Sequence, residues 1–305
     1  MEPRRVVSVL PSATEIMYAL GHGSELVGRS AECDFPAETY GLPVVMRPRT
    51  LYGDRPSREI DRRVREVRGS GRSLYTLDVG LLRRLRPDVL LTQDLCGVCS
   101  VTDEEVAEAC AQAGVRPEIV SLSPTRLSEV WSTFERVSRA IGDPAAGRRL
   151  GAAVRAKLPP APGTSTRPSV AVVEWLDPPI LSGLWTPDII AAGGGSPLGP
   201  RPGAVAERTT WERIADQPPE LLVLSPCSFP VERTRRELRD PEILRRLSQV
   251  APPKGVILAD EAYFSRPGPR LAEGVRLIHA LLRGDTSSLP MPAERWTDPR
   301  GGRAA

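Results

Sequence analysis

A short apolar run, a break at proline or a polar residue, and then an amphipathic helix: this unit recurs along the chain and constrains its fold more than any other feature. Residues 6–10 are an apolar run closed by Pro11, and Ser12 with Glu15 three residues later predicts a capping box opening a helix to Leu20. Residues 26–28 and 44–45 read as short strands, 60–68 and 79–85 as amphipathic helices, and 89–92 as a further strand. Thr102 with Glu105 caps a helix to Ala113, and 119–122 is a strand again. Such alternation predicts helices packed on a parallel sheet, an α/β lobe.

Ser123-Pro124 then reads as an N-cap with proline at the first helical position. Leu127, Val130, Trp131, Phe134, Val137 and Ile141 follow at three- and four-residue steps, the stripe of a long helix buried along one side. A second helix is expected over 143–158. The pattern then restarts, with strands at 170–173, 221–224 and 256–258 and helices marked by Thr186-Pro187, by Thr209 with Glu212, and by 270–282. At 305 residues the chain is long enough for two cores. The expected division is an N-terminal α/β lobe over 1–122, a linker helix region over 123–158, a C-terminal α/β lobe over 159–283, and a loosely ordered tail over 284–305.

Composition excludes several functions. The net charge of +3 is spread through mixed runs such as "SREIDRRVREVR", which suit an exposed helix face and give no nucleic-acid stripe. No stretch approaches ~20 continuous apolar residues, so no membrane insertion is expected. "AGGGSPLG" lacks the G-K-[ST] of a phosphate loop, and no G-x-G-x-x-G follows the first strand. Two histidines are too few for a His-rich metal site, and without a cleft histidine Ser12 is no nucleophile. The opening "MEPRRVVSVLPSATEIMYAL" has an Arg pair and an apolar run, but Pro11, Ser12 and Glu15 break it and no small-residue cleavage site follows. The expected compartment is the cytoplasm, where thiols stay reduced.

"VVSVLPSATEIMYALGHGSELVG", the helix beginning at Ser123, "GLWTPDIIAAGGGSPLG" and "YFSRPGPRLAEGVRLIHALL" together resemble the helical-linker, class III, solute-binding proteins of ABC transporters, in particular their cobalamin-binding branch. The resemblance covers about residues 5–283. It implies two Rossmann-like lobes joined by a rigid helix, with a small-molecule ligand clamped in a cleft between them. Exported members of the family carry a signal peptide or lipid anchor and deliver their ligand to a permease; with neither in this sequence, retention in the cell is expected and a permease partner is not.

Ligands of open α/β sheets bind outside the carboxyl ends of the strands, so residues just after each strand are the site candidates. They are Arg29, Glu32, Cys33 and Asp34; Asp94, Cys96 and Cys99; Glu174, Trp175 and Asp177; Cys227; and Asp260, Glu261, Tyr263, Phe264, Ser265 and Arg266. Four of the five cysteines fall there, while Cys110, inside "EEVAEACAQAG", reads as a small core residue. Cys33, Cys96, Cys99 and Cys227 have the ligand count of an iron–sulfur cluster or, as the lesser candidate, zinc. A redox dithiol, packing and ligand contact are the other readings of these thiols. Trp175, Trp185, Tyr75, Tyr263 and Phe264 are candidate aromatic contacts for a flat macrocycle, with lobe packing as the alternative, and Trp131 and Trp211 read as core. Ser12, Arg29 and Arg266 complete the ligand-binding candidates. Two functions remain: a cytosolic binding protein clamping cobalamin or a related metal chelate, or a cytosolic metalloenzyme whose cleft thiols hold a cluster, with Glu32, Asp94 or Glu174 moving protons.

Overall fold

The computed structural model describes residues 3–50, 53–70, 73–94, 101–160, 163, 167–285 and 292–297. The chain divides into two units. Met1–Asp54, Arg62–Pro124 and Ser128–Ala156 form the first; Arg55–Asp61, Thr125–Leu127 and Lys157–Ala305 form the second.

In chain order the first half supplies β1 (Val6–Ser8), α1 (Pro11–Ala19), β2 (Leu26–Ser30), β3 (Val44–Pro48), α2 (Ser57–Gly69), β4 (Tyr75–Leu77), α3 (Val79–Leu85), β5 (Val89–Thr92), α4 (Asp103–Ala113), β6 (Glu118–Ser121), α5 (Leu127–Ala140) and α6 (Pro144–Ala156). The sheet runs β4-β3-β2-β1-β5-β6 and is parallel except for β4. β1 and β5 lie in its middle and are buried throughout, because helices cover both faces of such a sheet and its central strands must be apolar on both sides. The core joins Val7, Val45, Met46 and Leu90 to Leu82 of α3 and to Val106, Ala109, Cys110 and Ala113 of α4. Cys110 is thus packed as expected, and burial pushes its thiol up.

The starts of α1 and α5 differ from the sequence reading. α1 begins at Pro11, with Leu10 as N-cap and no side-chain cap; proline's fixed φ suits the first helical position, one residue ahead of Ser12. α5 begins at Leu127 rather than after Ser123, because Asp188 supplies the cap. Its Oδ2 accepts the Leu127 N–H at 3.1 Å, and its two oxygens accept Nε and Nη2 of Arg126 at 2.8 Å each. The α5 stripe is buried at Leu127, Val130, Trp131, Phe134 and Val137, and Ile141 just beyond the helix is buried too. The Thr102–Glu105 capping box of α4 is present in both directions.

The second half contains β7 (Ser169–Leu176), β8 (Pro179–Leu181), α7 (Thr186–Ala192), β9 (Ser196–Pro197), β10 (Glu207–Arg208), α8 (Trp211–Asp216), β11 (Leu221–Leu224), α9 (Val231–Glu237), α10 (Pro241–Leu247), β12 (Val256–Ala259), α11 (Leu271–Leu282) and β13 (Ala293–Trp296). The strand order is β10-β8-β7-β11-β12-β13, with β9 also on β7. β7, β11 and β12 are parallel, whereas β8 pairs antiparallel with both β7 and β10, and β13 antiparallel with β12, so the sheet is mixed. The tail expected to be loose contains β13, which pairs with β12 from Val256↔Trp296 to Ala259↔Ala293. α8 is capped by Thr210 and not by its neighbour Thr209. Trp211 is buried among Val173, Leu222, Leu224 and Val231, a core residue as read.

Residues 55–61 are held in the second unit by charge-assisted bonds. Glu237 Oε1 accepts both N–H and Oγ–H of Ser57, at 2.7 and 2.6 Å. Arg58 pairs with Asp177 at 2.7 Å, and Arg208 donates to both oxygens of the buried Asp61.

Candidate ligand-binding site

In the first unit the strand order reverses between β1 and β5, and ligands of such sheets bind beyond the carboxyl ends near that reversal. Ser12, in the first turn of α1, and Thr92, the last residue of β5, have buried hydroxyls with no hydrogen-bond partner among the described residues. Behind them lies a closed polar network. Ser8 Oγ donates to the Leu10 carbonyl at 2.9 Å, and Thr14 Oγ1 lies 2.9 Å from Ser8 Oγ and 3.1 Å from Cys33 Sγ. Arg29, 7% exposed, turns Nη1 onto the carbonyls of Ser30 and Cys33 at 2.9 and 3.2 Å, and so fixes the turn after β2. Glu32 is half-buried on that turn and its N–H donates to Ser30 Oγ at 3.2 Å. Asp94 is exposed, with its N–H on Ser123 Oγ at 3.2 Å. Tyr75 pairs with Pro48 at the carboxyl end of β3, but it packs on the core of this unit and lines a cavity of about 190 Å³ with Arg49, Val101, Glu105 and Gln112.

The second unit gathers its chemistry where β7, β11 and β12 end. The Cys227 N–H donates to the Glu174 carbonyl at 2.9 Å, linking the turn after β11 to β7. Trp175 meets Phe229 with ring centroids 5.2 Å apart and planes tilted by 60°, and the Arg233 guanidinium lies 3.8 Å from the Phe229 centroid. The Trp175 indole N–H is buried without a partner among the described residues. Glu261, on the turn after β12, accepts the Ser228 N–H and an Arg266 N–H, each at 2.5 Å. Burial pushes its carboxyl up, and Arg266 and the Ser228 N–H pull against that. One carboxylate therefore locks the β11 and β12 turns together.

Three aromatic candidates are buried. Trp185, Tyr263 and Phe264 are 6%, 5% and 1% exposed, and the Trp185 indole donates to the Phe264 carbonyl at 2.6 Å. They pack the turn after β12, while Trp175 is half-buried. Sequence reasoning missed Phe229 and Arg233, which lie two and six residues past Cys227; following the chain further beyond β11 would have reached them. It counted Glu261 without seeing its part, since pairing with Arg266 in a buried setting is invisible in composition.

The thiols are distributed between the units. Cys33 is buried in the first and Cys227 is half-buried in the second, while Cys96 and Cys99 lie outside the described residues. Among the described residues no three His, Cys, Asp or Glu side chains group as metal ligands. Among the described residues no helix is long and apolar enough to cross a membrane.

No protein-family profile matches the sequence, and no match is found among curated proteins. Solved structures do match. A periplasmic heme-binding protein from Pseudomonas aeruginosa is 20% identical, with a TM-score of 0.68 over 97% of this chain and 96% of that one. The periplasmic heme-binding protein RhuT from Roseiflexus sp. RS-1 is 21% identical, at 0.63 over 93% and 99%. The periplasmic vitamin B12-binding protein BtuF of Vibrio cholerae is 18% identical, at 0.63 over 93% and 98%. The chain shares with these neighbours a two-lobe α/β fold.

Proposed function

We propose that this chain is a binding protein for a planar metal-bearing macrocycle, cobalamin or a related tetrapyrrole chelate. One observation carries the reading: the fold matches, over nearly its whole length, structures described as binding heme or vitamin B12. The strand ends of the second unit support it, because the half-buried Trp175 is backed by the buried Phe229 ring, whose other contact is the guanidinium of Arg233. Such a setting suits a ligand with flat apolar faces and a polar rim. Ser12 and Arg29 are the corresponding groups we assign in the first unit. The compartment we propose is the cytoplasm, where five cysteines remain reduced; recovery of the protein in an osmotic-shock fraction would overturn that part.

The test is titration of the purified full chain with cyanocobalamin and with hemin, each followed by absorbance difference and tryptophan quenching. Uptake of one equivalent of either is the expected result, and uptake of neither at tens of micromolar refutes the proposal. Iron and acid-labile sulfide in protein purified without oxygen would replace it by the reading in which the thiols hold a cluster.

A further inference from the structure

We propose that the cavity of about 190 Å³ lined by β4 and α4 in the first unit is a binding site for a free basic amino acid such as lysine. The proposal is independent of the macrocycle reading, since none of the side chains assigned there lines this cavity.

The lining combines three charges held in place with an apolar floor. Arg49, just past β3, donates Nε–H to the Ser73 carbonyl at 3.0 Å. Glu105 Oε2 accepts the Thr102 N–H at 2.9 Å, and Glu108 Oε1 accepts the Gln112 side-chain amide at 3.1 Å. Each bond fixes its charge and uses only part of its capacity, because a guanidinium carries further N–H donors and a carboxylate a second oxygen. Glu105 and Glu108 are three residues apart on α4 and so stand on one face of it. Val101 and Ala109 are buried beside them, and Leu77 of β4 packs on the core of the unit, which supplies the apolar part.

Volume and charge together select the ligand. The cavity is smaller than the roughly 300–1,000 Å³ of sites for drug-sized ligands. At ~30 Å³ per water it offers the space of about six waters, room for one small metabolite and not for a macrocycle. With one guanidinium against two carboxylates, the lining side chains keep one negative charge uncompensated. A basic amino acid is the complement: one carboxylate for a two-pronged bond with Arg49, two cationic groups for Glu105 and Glu108, and a methylene stem to lie on the floor. A neutral amino acid leaves one carboxylate of the site unmatched, and an acidic one adds repulsion. Because the charges are already in place, binding orders little of the protein.

The experiment is a ligand-observed NMR titration of the full chain at low ionic strength with L-lysine, L-leucine, L-glutamate and cadaverine, the diamine without a carboxylate. Lysine should bind with a Kd of about 1 mM or below. Leucine and cadaverine should each bind at least about fivefold more weakly, and glutamate more weakly still. Arg49→Gln and Glu108→Gln should each weaken lysine binding by about fivefold. Glu104→Gln removes the same charge from a neighbouring residue of α4 outside the lining, and should stay within about twofold. All three side chains are exposed, so the variants should melt as the wild type does. No uptake of lysine at ~10 mM, leucine matching lysine, or equal losses in Glu104→Gln and Glu108→Gln would each refute the site. Cadaverine matching lysine, with Arg49→Gln silent, would overturn the amino acid in favour of a simple diamine.

Discussion

Glu261 gives the most demanding test of how the second unit is held together. Its side chain is 11% exposed and that of Arg266 13%, and the pair is closed at 2.5 Å with the Ser228 N–H as second donor. Truncation by Glu261→Ala removes an acceptor from a nearly buried guanidinium and from a backbone N–H. Breaking a buried pair from one side costs about 3–5 kcal/mol, much of it the penalty of the stranded charge. Replacing both members by methionine removes that charge, and such exchanges are near neutral or better, leaving about 1 kcal/mol for the orphaned Ser228 N–H. The single and double variants should therefore differ by about 2–4 kcal/mol. Urea unfolding followed by tryptophan fluorescence suits the measurement, because Trp175, Trp185, Trp211 and Trp296 belong to this unit and only Trp131 to the other. A double variant as unstable as the sum of Glu261→Met and Arg266→Met, or a Glu261→Ala cost below about 1 kcal/mol, would refute the reasoning.

Three further outcomes follow from the geometry. His22 lies between Glu25 at 2.7 Å and Asp143 at 3.4 Å, and the Glu25 hydrogen bond raises it above its ordinary value of 6.5, with Asp143 adding to the effect and burial opposing it. A raised histidine contributes stability that is full below about pH 6.5 and is lost as pH rises through the higher folded value; His22→Gln should therefore lower the melting temperature more at pH 5.5 than at pH 8.5. Asp188→Ala, removing the cap of α5 and the bidentate pair with Arg126, should cost about 1–2 kcal/mol by urea unfolding, and Asp188→Asn should recover part of it. At Gly274 in α11 a Cβ would run into the Tyr263 carbonyl. Gly274→Ala should cost about 1–3 kcal/mol and weaken ligand binding too, because the displaced turn carries Glu261.

The parts of the fold legible in the sequence are those whose cause is local. β1, β5, β7, β11 and β12 are apolar runs because they are buried on both faces, and the Thr102–Glu105 box needs only residues three apart. The short strands β8, β10 and β13 were unreadable for the converse reason. Two to four residues such as Glu207-Arg208 carry no pattern, and pairing with a neighbour already in place defines them. The helix starts failed where the cap comes from far along the chain. Asp188 caps α5 from 61 residues away and Glu237 caps α2 from 180, while the nearby Ser123 and Ser12, which look like caps, do not serve.

The candidate site follows the same division. Chain connectivity alone puts Cys227 and Glu261 beyond β11 and β12, whereas Trp175 lies inside β7, which the sequence reading ended at 173. The composition of the site was not legible, because what a strand-end residue does depends on burial. Tyr263 and Phe264 are the most conspicuous aromatics of "DEAYFSRP" and are turned inward as packing.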